Sequence, residues 1–469
     1  MKYKNTFGLI VANRDFFPEV LIKEGREQII KYLNDNGYNV ITLSTEDSKL
    51  GAVSNLDEAQ KCGNLFDTYR KEIDGIIITL PNFGDERSAV NAIKHSNLNV
   101  PVLVHAFNDN LKDMTLARRR DSFCGKLSIC NNLYQYGIKY SITQKHTQNI
   151  GDEDFNEDID WFAAVCRVVK KLRNARVGAL GARTGPFNTV RYSEKLFEDC
   201  GISTEVLDLS DFLVKVNKLK DSDTAVKKKL ESFSNYLKLE RVSEAALLRM
   251  VKFAVSLDNW IEEYRLDATA IQCWTALQDN LGIVPCSIMS KLSEELIPCA
   301  CEVDIPGAVG MLALQAASCS PSAIIDWNNN YGNDPDKCVV FHCSNLPKSY
   351  FKDPVMGIQE IIAHTVGTEN AAGACLGRIS AGPFTYCRIS TDDTIGDIKA
   401  YVGEGEFTND ELKSFGGYGV VKIEEFQELL AYACENGFEH HASISKTLVA
   451  DSIYEAFANY FDWDVYYHL

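Results

Sequence analysis

Residues 74–106, DGIIITLPNFGDERSAVNAIKHSNLNVPVLVHA, decide the fold class. Two apolar runs, DGIIITL and VPVLVHA, flank a polar segment of helix length. A strand with one face in water alternates apolar and polar residues, whereas a strand covered on both faces is apolar throughout, the habit of parallel sheets sandwiched by helices. Working outward, FGLIVA (Phe7–Ala12) and YNVITL (Tyr38–Leu43) have the same texture, and the segment between them, Glu19–Asn36, has helical periodicity and stops at Gly37. The spacing predicts a parallel α/β sheet.

The pattern restarts at Arg176 with RVGAL, a loop GARTGPFN, a helix to Cys200 and the run TEVLDL, so a second α/β domain is expected there. The acidic stretch GDEDFNEDID (151–160) before it reads as a linker or an exposed helix N-terminus. Gly178, Gly181 and Gly185 have the spacing G-x-x-G-x-x-x-G, not the dinucleotide G-x-G-x-x-G, and no phosphate-binding Lys follows. A tight strand-to-helix turn accounts for them, and no nucleotide is expected. After about residue 350 the chain breaks into short β-like pieces punctuated by glycine, as in YVGEGEFTND and FGGYGVVKI, which suit a small antiparallel barrel. A helix over Ser445–Tyr460 and a last strand, WDVYYHL, are expected to close the chain. The fold expected is two doubly wound α/β domains, 1–170 and 171–350, followed by a C-terminal β-barrel-containing domain, 351–469.

Composition limits the partners. The 469 residues carry 48 Lys plus Arg against 65 Asp plus Glu, a net charge of −17 that repels phosphate backbones and anionic membranes. No run of 18 apolar residues appears, and the apolar run near the N-terminus is too short for a signal sequence, so a cytoplasmic location is expected. The 15 cysteines include no C-x-x-C pair and read as small buried apolar residues in a reducing compartment.

Four apolar runs in the central region end in polar or aromatic residues: ATAIQCW at Trp274, IPCACE at Glu302, SAIID at Asp326 and CVVFH at His342. Ligands of open parallel sheets bind beyond the carboxyl ends of the strands, so Glu302, Asp326 and His342 are expected to share one site. A lone buried Glu is costly unless paired or metal-bound, and two carboxylates with an imidazole suit Mn²⁺ or a similar ion. Asp304, before IPGAVGMLALQAA, reads instead as the N-cap of a helix. Taken without its neighbours, His342 reads more readily as a hydrogen-bonded core histidine than as a ligand. His440 and His441, after GFE, are a second candidate pair, of which one is expected to face solvent or a carbonyl.

Collinear blocks through most of the chain resemble the L-fucose and L-arabinose isomerases, above all the shorter fucose-isomerase-like members. They include NRDFFPEVLIKEGRE, FCGKLSICNNLYQYGI, GPFNTVRYSEKLFEDCGI, IQCWTALQDNLGIVPCSIMSKL, CACEVDIPGAVGM, DWNNNYG, FHCSN, FGGYGVV and GFEHHA. The resemblance implies an aldose–ketose isomerase of three domains, with Mn²⁺ in a cleft between the second and third. It implies metal-binding, acid/base roles for Glu302 and Asp326, and a metal-binding role for a C-terminal histidine, His440 or His441. His342 sits where the arabinose-type enzymes add a ligand, yet the second carboxylate is an Asp, so the chain mixes both patterns. Trp274 and His440 are expected at the substrate. Arg14, in the NRDFFP block, would reach a neighbouring subunit's site in a homotrimer or homohexamer. The sequence offers no phosphate-binding loop, so an unphosphorylated sugar is expected, and the resemblance implies a fucose-like aldose or the 6-sulfo sugar sulfoquinovose; for the latter Arg14 or Arg191 would clamp the sulfonate. A non-catalytic sugar-binding protein, or a lyase or epimerase using the same enediolate, are the alternatives.

Overall fold

The computed structural model describes residues 4–185 and 187–468. They divide into two compact units, the first ending at Lys170 and the second starting at Lys171. In the first unit the apolar runs form a five-stranded sheet in the order Asn39–Ile41, Thr6–Val11, Gly75–Leu80, Val102–Ala106, Ser141–Ile142, every neighbouring pair parallel. The two-residue period of a strand explains why the runs are apolar throughout. Ile76, Ile78 and Leu80 enter the core on one face of the sheet, and Ile77 enters the core on the other. The acidic stretch at 151–160 is a helix N-terminus, since Glu153–Leu172 is one helix that starts within it.

The second unit contains a four-stranded parallel sheet in the order Cys299–Cys301, Ala268–Ile271, Arg176–Leu180, Ser203–Leu207. Its glycine loop needs no ligand to explain it. A Cβ on Gly178 would come within 2.5 Å of the Trp260 ring, and Gly181 turns the chain at φ +85°.

The same unit also holds a ten-stranded mixed sheet, part of which closes on itself. Asp397–Thr408, Gly382–Asp392, His441–Ser445, Ser322–Asn330, Lys337–His342 and Gly417–Lys422 pair antiparallel in that order, and the last pairs back to the first. The result is a ring close to a barrel. Here one expectation is corrected: the runs carrying Asp326 and His342 are not strands of the parallel sheet but antiparallel neighbours in this ring. Only residues 331–336 join them, and a parallel crossover needs a dozen or more. A second correction concerns the expected helix over Ser445–Tyr460. Its first residue still pairs in the strand His441–Ser445, and helical structure starts only at Ala450.

The helix Ile305–Ser318 links parallel sheet to ring and packs on the strands Gly382–Asp392 and His441–Ser445. Its approach depends on Gly310, where a Cβ would lie 2.7 Å from the Ser443 hydroxyl. Among the described residues no helix is long and apolar enough to cross a membrane.

Candidate active site

Glu302 follows directly on the strand Cys299–Cys301, at the carboxyl end of the parallel sheet. It and Val303 have φ of 59° and 58°, in the left-handed region. For a β-branched residue that conformation is an outlier, held only where surrounding structure over-determines it. Here the Val303 amide donates to the Ile271 carbonyl at 3.3 Å, and the Trp274 indole donates to Glu302 Oε1 at 3.0 Å. Oε2 is left buried with no hydrogen bond. Burial would raise the Glu302 carboxyl, but the neighbouring His441 outweighs it and holds the group at about 2, so it is a carboxylate.

Asp326 and His441 face each other across the antiparallel pair Ser322–Asn330 and His441–Ser445. The register therefore brings a carboxylate and an imidazole together from segments over a hundred residues apart. His441 is buried; its Nε2 lies 3.1 Å from Glu302 Oε2 and 3.4 Å from Asp326 Oδ1. Like Glu302 Oε2, Asp326 Oδ1 is buried without a hydrogen bond. Burial lowers the His441 imidazole, yet Asp304 and Glu302 lift it to about 10. The pocket thus collects negative charge around one point, which a divalent cation would satisfy in place of that proton.

His342 also reaches this point: Asp326, His342 and His441 offer ligand atoms within 4.8 Å of one another, as do Cys301, Glu302 and His342. Its ring is held differently, however. Nδ1 accepts the Cys343 amide at 3.0 Å and Nε2 lies 3.0 Å from Cys301 Sγ. His440 is half-exposed, with Nε2 3.5 Å from Asp326 Oδ1. Of the adjacent pair, His441 points inward and His440 lies at the edge.

These groups line a cavity of about 540 Å³ together with Trp274, Phe187, Phe341, Gln359, Ile361 and Ile362. Phe187 was not anticipated from the sequence: its ring, in the GPFN loop read only as a turn, lies 5.9 Å from that of His441. Arg14 and Arg191 do not line this cavity. Arg14, in the first unit, pairs with Glu86, donates to the Gly84 carbonyl at 3.0 Å and stacks on Phe83. Arg191 is exposed, donating to the Asn188 carbonyl at 3.3 Å. A larger cavity of about 990 Å³ lies in the first unit, but its Arg118 is paired with Glu24 and no cluster of metal-ligating atoms converges there among the described residues.

Two family models match the chain: the fucose/sulfoquinovose isomerase N-terminal domain over residues 8–173, and the L-fucose isomerase C-terminal domain over residues 340–468. A sulfoquinovose isomerase from Priestia aryabhattai is 23% identical over 68% of this chain and 68% of its own length. One from Alkalicoccus urumqiensis is 27% identical over 38% of this chain and 40% of its own. A periplasmic solute-binding protein from Actinobacillus succinogenes with bound D-allose is 11% identical, covers 68% of this chain and 93% of that one, and has a TM-score of 0.17, too low to carry an argument. The chain belongs to the fucose/sulfoquinovose isomerase family and is a sugar isomerase of the aldose–ketose class.

Proposed function

We propose that this isomerase moves a carbonyl between C1 and C2 of an unphosphorylated aldose through an enediol, with Mn²⁺ held by Glu302, Asp326 and His441. One observation carries the reading: two buried carboxylate oxygens without hydrogen bonds converge on the Nε2 of one buried histidine. Such a mixed O/N set suits Mn²⁺ better than the thiolate sets of structural zinc. His342 is the weaker ligand candidate, because its Nδ1 accepts an amide hydrogen and its proton then sits on Nε2. When bound, the ion supplies Lewis-acid stabilisation of the enediolate. Glu302, fixed through Oε1 by Trp274, takes the proton from one carbon and returns it to the next, while Asp326 assists proton movement between the two oxygens. Phe187, Phe341 and Trp274 exclude water from one side of the sugar.

A neutral, fucose-like aldose fits the lining best. Among the described residues none that lines the cavity is Lys or Arg, and Ile361 and Ile362 give it an apolar wall. A sulfonate would call for a cation there. The sulfoquinovose isomerases among the relatives favour the 6-sulfo sugar, which would take its cation from outside this lining. Protein incubated with Mn²⁺ and a panel of aldoses that includes fucose and sulfoquinovose, followed by NMR in D₂O, distinguishes them. The reading expects ketose carrying solvent deuterium from a neutral aldose. Sulfoquinovose as the one substrate would overturn the choice of sugar, and cleavage or an epimer without ketose would overturn the reaction.

A further inference from the structure

Asp304 caps the helix Ile305–Ser318, but the cap uses only one of its oxygens. Oδ1 accepts the Gly307 amide at 2.9 Å. Oδ2 lies 2.8 Å from His441 Nδ1 and accepts from Arg388 Nη1 at 2.6 Å. Arg388, fully buried like Asp304, donates through Nε to Glu439 Oε2 at 3.0 Å, and the other oxygen of Glu439 accepts the Ser390 hydroxyl at 2.9 Å. A bonded chain therefore runs from the helix N-terminus to both ends of the Glu439–His441 segment, holding the ring of His441 at one end and the carboxylate of Glu439 at the other.

A helix start does not call for a guanidinium in the core. Burying an Asp–Arg pair costs desolvation that its mutual attraction often only offsets, so stability alone is a poor reason for it. The direction of the bonds suggests another. A metal-ligating histidine keeps its lone pair toward the ion by donating its other ring N–H to a carboxylate.

We propose that Asp304 and Arg388 are positioning residues for His441. Asp304 holds the imidazole proton on Nδ1 and turns Nε2 toward Glu302 and Asp326, while Arg388 fixes Asp304 and, through Glu439, the segment carrying the histidine. The inference rests on Glu302, Asp326 and His441 being the metal ligands.

Asp304→Asn tests it. The amide oxygen caps the helix about as well as a carboxylate oxygen. With the cap kept, its nitrogen takes the place of Oδ2 and meets both His441 and Arg388 as a donor, which breaks the Arg388 bond and drives the ring to the tautomer with the proton on Nε2, where the lone pair is needed. Free Mn²⁺ is titrated by electron paramagnetic resonance against the full chain, well below its unfolding midpoint. Leu314→Ala, at a buried residue of the same helix ten positions beyond Asp304, controls for loss of stability. Asp304→Asn should bind Mn²⁺ about 10- to 100-fold more weakly than the parent, and Leu314→Ala within about twofold. Equal weakening in the two variants, or none in Asp304→Asn, would overturn the proposal. Should Asp304→Asn not fold, Arg388→Met decides: about tenfold weaker binding supports the proposal, and parental affinity overturns it. A parent that binds no Mn²⁺ would instead refute the ligand assignment beneath it.

Discussion

Glu302 concentrates most of the site's chemistry: a strained backbone, one oxygen fixed by Trp274 and one left open toward His441. Glu302→Gln keeps the volume but removes the charge and the proton acceptor. Its kcat should fall on the order of 10²- to 10⁴-fold, and Asp326→Asn should act alike, measured by ketose formation at saturating Mn²⁺. Turnover within a few-fold of the parent would remove Glu302 from the reaction. The two adjacent histidines should separate just as clearly. His441→Asn should abolish tight Mn²⁺ binding, while His440→Asn, at the half-exposed edge, should leave the Mn²⁺ dissociation constant nearly unchanged and raise KM. At this scale the sequence was informative where a residue broke a pattern. Glu302 stood out because it ended an apolar run, and Asp304 because it preceded a helix. The second oxygen of Asp304 was not legible, since its partners, Arg388 and His441, are distant in sequence and recognisable only by contact.

The site is assembled where the helix Ile305–Ser318 passes from the parallel sheet to the ring, which explains why 24 positions separate Glu302 from Asp326: one helix, one turn and the start of a strand. That helix sits close to the strand carrying His441 because Gly310 has no side chain. Gly310→Val should force the two apart, costing about 1–3 kcal/mol of stability and lowering Mn²⁺ affinity at the same time. Chemical denaturation and metal titration of one sample would check both, and an unchanged denaturation midpoint would contradict the packing account. The parallel sheets were readable from continuous apolar runs. The ring was readable only in its glycine-rich second half, because its first two strands carry short buried apolar runs, Ala323–Ile325 and Val340–Phe341, that look like those of a parallel sheet. The short connection 331–336 was the signal that separates the two cases.

For the molecule as a whole, a net charge of −17 surrounds a site that itself gathers carboxylates. Such a field attracts a divalent cation as readily as it repels polyanions. The oligomer expected from the N-terminal block is a proposal of the same scale. Sedimentation should give a trimer or hexamer, and Arg14→Ala should lower activity without loosening Mn²⁺ if that residue serves a neighbouring subunit's site; an active monomer would exclude it. The dependence on metal is the most direct test of the whole account. Protein stripped with a chelator and passed free of it should form no ketose, and Mn²⁺ added back should restore the parental rate, with Glu302→Gln failing to recover. Full turnover in a preparation shown by elemental analysis to be metal-free would contradict it.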